Sequence, residues 1–142
     1  MSEKYTLKQA KTAKRIIKYF AKFQASIFLM SKGKLWNKWP GGFPIMVVET
    51  KGARSNKIRN KPLIYVHQDG MPILVASLGG MPKNPNWYYN VKAHPAVKIT
   101  TIAGHGNYIA EEVSKEKKDQ LWPLICSFYP EYETYQSNTS RE

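Results

Sequence analysis

The sequence predicts a fold that is mainly β with flanking helices, and three observations carry this. Five short runs rich in apolar and β-branched residues, 45–50, 62–68, 73–78, 95–101 and 108–113, are punctuated by glycine, proline and asparagine and read as strands. Asp69-Gly70, between the second and third runs, is a two-residue hairpin signal, because both central positions of the favoured turn need positive φ. Long stretches of helical spacing are confined to the two ends of the chain. A chain of 142 residues can bury a core as one domain, 1–142. Within it, residues 1–32 form an N-terminal amphipathic helix, 44–113 the β core and 114–142 a helical segment.

Residues 7–32 place Lys8, Lys11, Lys14, Lys18 and Lys22 on one side of a helix. Ile16, Tyr19, Phe20, Phe23, Ile27 and Met30 fall on the other. Such a helix either packs its apolar stripe on the core or lies on an anionic membrane surface. Lys34–Pro44 is a loop broken by Pro40, Gly41, Gly42 and Pro44, and its Trp36, Trp39 and Phe43 either pack back on the β core or line an entrance. After the strand 45–50, the turn KGARSNKIRNK (51–61) holds five cations, Lys51, Arg54, Lys57, Arg59 and Lys61, with no acid among them. Lysine guards sheet edges, so a solvated turn is the plain reading. A phosphate or polyanion site is the sharper one, since guanidinium pairs bidentately with phosphate.

Residues 74–95, LVASLGGMPKNPNWYYNVKAHP, open as a strand and break at Gly79-Gly80, Pro82 and Pro85. They then enter a short helix over 86–92 and stop at His94-Pro95. This is either an ordinary strand-to-helix turn or a cradle where glycine lets backbone N–H groups approach an anionic ligand. Ser114 is a helix N-cap followed by Glu116 in the first turn. Leu121, Leu124, Ile125 and Phe128 make an apolar stripe, and Pro123 inside it predicts a kink or restart. A short turn, EYETYQ, begins after Pro130. Tyr129, Tyr132 and Tyr135 recur every third residue, which suits core packing or the wall of a ligand pocket.

Charge narrows the partners. The chain has 22 Lys+Arg against 10 Asp+Glu, a net +12, and residues 1–40 alone hold ten bases and one acid, Glu3. Such a field attracts nucleic acid, anionic lipid or a phosphorylated cofactor. No nucleic-acid module motif is present, so the first is not the expected partner. The single cysteine, Cys126, excludes an internal disulfide or a cysteine zinc site, and His67, His94 and His105 lack ligand spacing, so no metal is expected. Asp69 is the only acid between residues 50 and 110, which leaves no paired-carboxylate site there. There is no G-x-S-x-G elbow, P-loop or Rossmann fingerprint. An enzyme of this composition would borrow its chemistry from an anionic cofactor. With neither a spanning segment nor a secretory leader, the expected location is cytoplasmic, with peripheral contact at the inner face of the cell membrane through residues 7–32.

Several strings then carry a resemblance: PIMVVET, KGARSNKIRNKPL, VASLGG, KNPNWYYNVKAHP and WPLICSFYPEYETYQS. Together they resemble the deazaflavin-dependent nitroreductase family, the class B flavin/deazaflavin oxidoreductases, over about two thirds of the chain. The resemblance implies a split β-barrel of the FMN-binding type, with 44–113 as the barrel core. It implies coenzyme F-420, whose reduced form gives a hydride to quinone-like or nitroaromatic acceptors. By position it places the cofactor phosphate at Arg54, Ser55 and Arg59. It places the ring along Lys61, Pro62, Leu63 and Ile64, along Val75, Ala76 and Ser77, and along Asn86, Trp87, Tyr88 and Asn90. Ser77, Tyr129, Tyr132 and Tyr135 would wall the acceptor pocket, one of them hydrogen-bonding the developing oxyanion. The chain departs from the family pattern at Ala53, Asn56, Ile58, Ile64 and Leu78, where the family often carries a lysine at the last. Those departures keep FMN as an alternative cofactor, and a non-catalytic lipid, haem or small-ligand binder at the membrane surface as an alternative function. The family's last strand follows the tyrosine stripe, whereas this sequence ends at Glu142: either the sequence is cut short of that strand or the barrel lacks it, and a lacking strand would leave an open edge that invites pairing with a second copy as a homodimer.

Overall fold

Strand β2, Phe43–Lys51, is the centre of the molecule. Its side chains alternate faces, yet Ile45, Met46, Val47 and Val48 are all buried. The strand therefore has a core on each side, which is why its sequence reads as an unbroken apolar run. Ile45 and Val47 join Ala25, Phe28, Ile64, Val66, Leu121, Ile125, Tyr129 and Tyr132 in one layer. Met46 and Val48 join Val97 and Ile99 in the other, with Leu63, Leu74, Val91 and Tyr108 packed against them.

The computed structural model describes residues 7–77, 80 and 83–140. In order these form α1 (Leu7–Met30), β1 (Lys38–Trp39), β2, β3 (Ile58–Ile64), β4 (Val66–Gln68), β5 (Met71–Ile73), α2 (Asn86–Ala93), β6 (Ala96–Thr101), β7 (Gly104–Ile109), α3 (Lys115–Phe128) and α4 (Glu131–Ser137). β2 pairs antiparallel with β1, β3 and β6, and β7 continues from β6 to complete a five-stranded sheet. β4 and β5 form a separate hairpin, Val66 opposite Ile73. Its turn is the one expected, with Asp69 at φ 52° and Gly70 at φ 83°.

The architecture is mixed helix and antiparallel sheet, not mainly β, and no closed barrel is present among the described residues. Two expected strands are cut short for identifiable reasons. The run 73–78 stops pairing at Ile73, because consecutive turns bend the chain: the Ser77 N–H donates to the Val75 carbonyl and the Gly80 N–H to the Ser77 carbonyl, both at 2.9 Å. The run 108–113 stops at Ile109. Its last bond goes from the Ala110 N–H to the carbonyl of Pro95, which has no N–H to return. Leu78, Gly79 and Pro82 lie outside the described residues.

The helices also differ from expectation. α1 buries Gln24, Ala25 and Phe28, one turn-face away from the predicted stripe, while Ile16 (65%), Tyr19 (67%) and Phe23 (60%) stay exposed. Gln24 donates from Nε2 to the carbonyls of Trp36 and Lys38, 3.2 Å each, and so holds the loop after α1. Trp36 stacks on Phe20 at 6.4 Å and meets Phe23 edge-on at 5.4 Å. The side chains of Lys8 and Lys14 lie outside what is described. α3 begins at the predicted cap, where Ser114 Oγ accepts from the Lys117 N–H at 3.2 Å. It runs unbroken through Pro123. Pro123 and Asp119, whose carbonyl loses its partner there, both face solvent, so water replaces the missing bond. The turn expected after Pro130 is the helix α4.

Candidate functional site

A cavity of about 660 Å³ opens where the two core layers meet. Four walls enclose it: residues 71–77, the inner side of α2, residues 108–113 at and beyond the end of β7, and the α3–α4 pair. The floor is apolar (Ile73, Leu74, Val97, Ile99, Leu121, Ile125) and the sides are aromatic (Trp87, Tyr88, Tyr108, Trp122, Tyr132, Tyr135). Apolar and aromatic lining with few polar groups, in a volume of roughly 300–1,000 Å³, is the build of a small-molecule or cofactor site.

Seven predicted site residues line this cavity: Val75, Ala76, Ser77, Trp87, Tyr88, Tyr132 and Tyr135. Tyr129 sits directly behind them, buried, its ring 5.0 Å from Tyr132 and its hydroxyl 3.1 Å from that of Tyr135. Lys61, Pro62, Leu63 and Ile64 do not reach it. They belong to β3, in register with Val48 down to Ile45, and Leu63 and Ile64 pack into the two core layers. Asn86 is exposed at the start of α2.

The cationic turn does not line the cavity either. Arg54, Ser55 and Arg59 are exposed around the turn between β2 and β3. That turn is tightly made: the Gly52 N–H donates to the Lys57 carbonyl at 2.8 Å, and Asn56 takes φ 56°, so asparagine serves where the family pattern has glycine. Ser55 Oγ accepts from the Lys57 N–H at 3.2 Å. What joins the turn to the cavity is Asn90. Its Oδ1 accepts from the Ala53 N–H at 3.0 Å and its Nδ2 donates to Thr50 Oγ1 at 3.4 Å. Asn90 is on α2, the helix whose Trp87, Tyr88 and Val91 wall the cavity. The turn and the cavity therefore lie on two sides of one short helix.

The cations on the cavity rim are Lys92, Lys115 and Lys118, which sequence reasoning missed. Lys92 lies 3.6 Å from Glu112 and donates to Tyr88 Oη at 3.3 Å, and Tyr88 donates to Glu112 at 2.9 Å. Tyr88 and Glu112 hold the Lys92 ammonium above the usual lysine range. Lys118 donates to Gln136 Oε1 at 2.8 Å, and Trp122 Nε1 donates to Glu133 at 2.8 Å, so α3 and α4 are latched at the same rim. No local motif marks these residues. Tyr108 and Trp122 were legible in principle, from strand alternation and from the helical stripe around Leu121 and Ile125. Burial and Glu133 push the Cys126 thiol up, so it is no ready nucleophile.

Tyr132 has the most distinctive electrostatics. It is 4% exposed, and its hydroxyl has no hydrogen-bond partner among the described residues. Burial, helped by Tyr129 and Tyr135, raises its pKa well above the ordinary phenol value. It is thus a protonated donor held in an apolar wall.

Fold and cavity together define a small-molecule-binding protein with few polar groups of its own for chemistry; among the described residues no group of three or more His, Cys, Asp or Glu could hold a metal. Comparison with known proteins narrows the class. Residues 20–142 match the family model described as F420H(2)-dependent quinone reductase. An F420H(2)-dependent quinone reductase of Mycobacterium tuberculosis (strain ATCC 25618 / H37Rv) is 32% identical over 119 residues, 82% of this chain and 80% of that protein. The solved structure of an F420-H2 dependent reductase superposes with a TM-score of 0.62 at 40% identity, covering 70% of this chain and 88% of the other. Another chain, solved as a domain-swapped dimer, gives 0.67 at 35% identity and covers 84% and 90%. The chain belongs to the F420H(2)-dependent quinone reductase family, oxidoreductases whose cofactor is coenzyme F-420.

Proposed function

We propose that this chain reduces quinones, with nitroaromatics as incidental acceptors, and that the 660 Å³ cavity is its active site. One observation carries the reading: a single cavity holds Val75, Ala76 and Ser77, the α2 aromatics Trp87 and Tyr88, and the tyrosines Tyr132 and Tyr135. The donor set fits coenzyme F-420. A planar ring suits apolar and aromatic walls, and an anionic tail suits exposed cations. Lys51, Arg54, Lys57 and Arg59 are exposed at the turn beyond α2. No ion pair is found for these four cations among the described residues; the Lys92–Glu112 pair lies at the cavity rim. When bound, reduced F-420 supplies the hydride.

The chain's own residues do the rest. Holding donor and acceptor in one water-poor cavity replaces a bimolecular encounter with a positioned one. Val75, Trp87, Leu121 and Ile125 exclude water. The Tyr132 O–H donates to the acceptor oxygen as it gains charge. Tyr135, paired with Tyr129, orients the acceptor from beside it.

Fluorescence titration with F-420 tests the reading. Micromolar binding is expected, and Arg54→Ala with Arg59→Ala should weaken it by about tenfold or more, the worth of one charge-assisted contact. Added salt should weaken binding to the wild type more than to the double variant. Absence of binding at tens of micromolar, or identical affinity in the double variant, removes the assignment.

A second reading concerns α1. Phe20, Phe23 and Trp36 form one exposed aromatic patch, and Lys11, Arg15, Lys18 and Lys22 are exposed elsewhere on the same helix. That chemistry supports peripheral attachment to an anionic lipid surface; no helix among the described residues is long and apolar enough to cross a membrane. Sedimentation with phosphatidylserine vesicles, but not with neutral ones, is the expected result. Phe23→Glu with Trp36→Glu should abolish it, and co-sedimentation surviving that change would make α1 purely structural. A homodimer is also proposed, supported by the related chain solved as a domain-swapped dimer.

A further inference from the structure

Two of the strands that end the central sheet, β3 and β7, are built differently. β3 carries Arg59, Lys61 and Pro62. Charge, and a residue without an N–H, both discourage a further strand. β7 ends the sheet on the other side, and no described strand pairs with its outer edge. Its sequence, GHGNYI, contains no Lys, Arg, Asp, Glu or Pro. Tyr108 turns in towards the second core layer, His105 and Asn107 face solvent, and Ile109 is exposed at the rim of the cavity. Ile109 is 72% exposed, and Ile102, in the turn just before the strand, is 66% exposed.

Charge points to the same edge. Two copies carrying +12 each repel over most of their surfaces. β7 brings no side-chain charge of its own to such a contact, and Glu111 and Glu112 follow it. We propose that a second copy of this chain adds here, β7 antiparallel to β7, making one continuous sheet across a two-fold axis. This names the interface of the homodimer proposed above and rests on that reading. With the two-fold axis placed at Asn107, mid-way along the exposed face, Asn107 lies opposite its own copy and His105 opposite Ile109. Residues 110–113 run from β7 straight into the cavity wall. Pairing at β7 would therefore fix that wall, so the active site is better ordered in the dimer.

Sedimentation equilibrium and light scattering on the full chain provide the test, across a wide range of concentration. Wild type is expected at twice the 16.3 kDa chain mass. Asn107→Lys places like charges together at the axis and should raise the dimer dissociation constant by about tenfold or more. Mixing Asn107→Lys with Asn107→Glu should restore pairing. In a Cys126→Ser background, Asn107→Cys should cross-link on mild oxidation, a readout that needs no destabilised variant. Wild type that stays monomeric overturns both the dimer and its interface. A dimer indifferent to Asn107→Lys, or one that Phe23→Glu dissociates while Asn107→Lys does not, overturns the β7 assignment and leaves the dimer standing.

Discussion

Tyr132→Phe is expected to slow hydride transfer to a quinone by about 10²-fold, the usual cost of losing one positioned donor at a developing oxyanion. Single-turnover decay of reduced F-420 fluorescence measures it. Affinity for F-420 should be unchanged, because the hydroxyl is assigned to the acceptor. Stability should be little changed, since the substitution keeps the buried ring and removes no protein hydrogen bond found among the described residues. An unchanged rate takes Tyr132 out of the chemistry and leaves Ser77 as the donor to test. The raised pKa of Tyr132 adds a signed pH effect. A folded-state value above the unfolded value, about 10 for a phenol, contributes stability that is fully present below that pH and lost as pH climbs through the folded value. Wild type should therefore lose stability on the alkaline side, and Tyr132→Phe should lose less of it.

Gly80→Ala should lower stability by about 2–4 kcal/mol and the melting temperature by about 10 °C. Two costs add. Gly80 has φ 76°, which costs an alanine roughly 1–2 kcal/mol. A Cβ there would run into the carbonyl oxygen of Tyr135 and sit 3.0 Å from its Cα, which is backbone and cannot rotate away. Because Tyr132 and Tyr135 are on α4, the variant should lose quinone turnover more steeply than F-420 binding. A melting temperature within two or three degrees of wild type would mean that the loop and α4 do not approach as described.

Gly80 also shows where reading the sequence reaches its limit. A missing Cβ permits close approach, but the sequence does not say by what. The glycine pair reads as a place where a ligand comes near the backbone, whereas at Gly80 it is the chain's own helix α4. The α1 stripe is a similar case. Its period correctly predicts a helix, but Phe28 and Ala25 win the core because the adjacent Gln24 anchors to two loop carbonyls. By contrast, the buried run of β2, the Asp69-Gly70 turn and the Ser114 cap rest on interactions within a few residues, and they were legible. The tyrosine stripe was legible as a wall. Its neighbours Lys92, Glu112 and Lys118 were not, since they come together only when α2, residues 110–113 and α3 pack around one space. The barrel expected from family resemblance required ladders at 74–78 and 110–113, and local turns and Pro95 withhold them here.

Asn90 has a consequence of its own. One side-chain amide grips the backbone of the cationic turn while its helix presents Trp87 and Tyr88 to the cavity. A ligand long enough to touch both sides would meet a receptor whose two halves are already held at a fixed spacing, so its second contact forms at high effective concentration. A ligand reaching only one side forgoes that advantage. On the proposed reading the tie would act as a molecular ruler, favouring a tailed cofactor over a bare ring with the same chromophore by the distance between ring and charge.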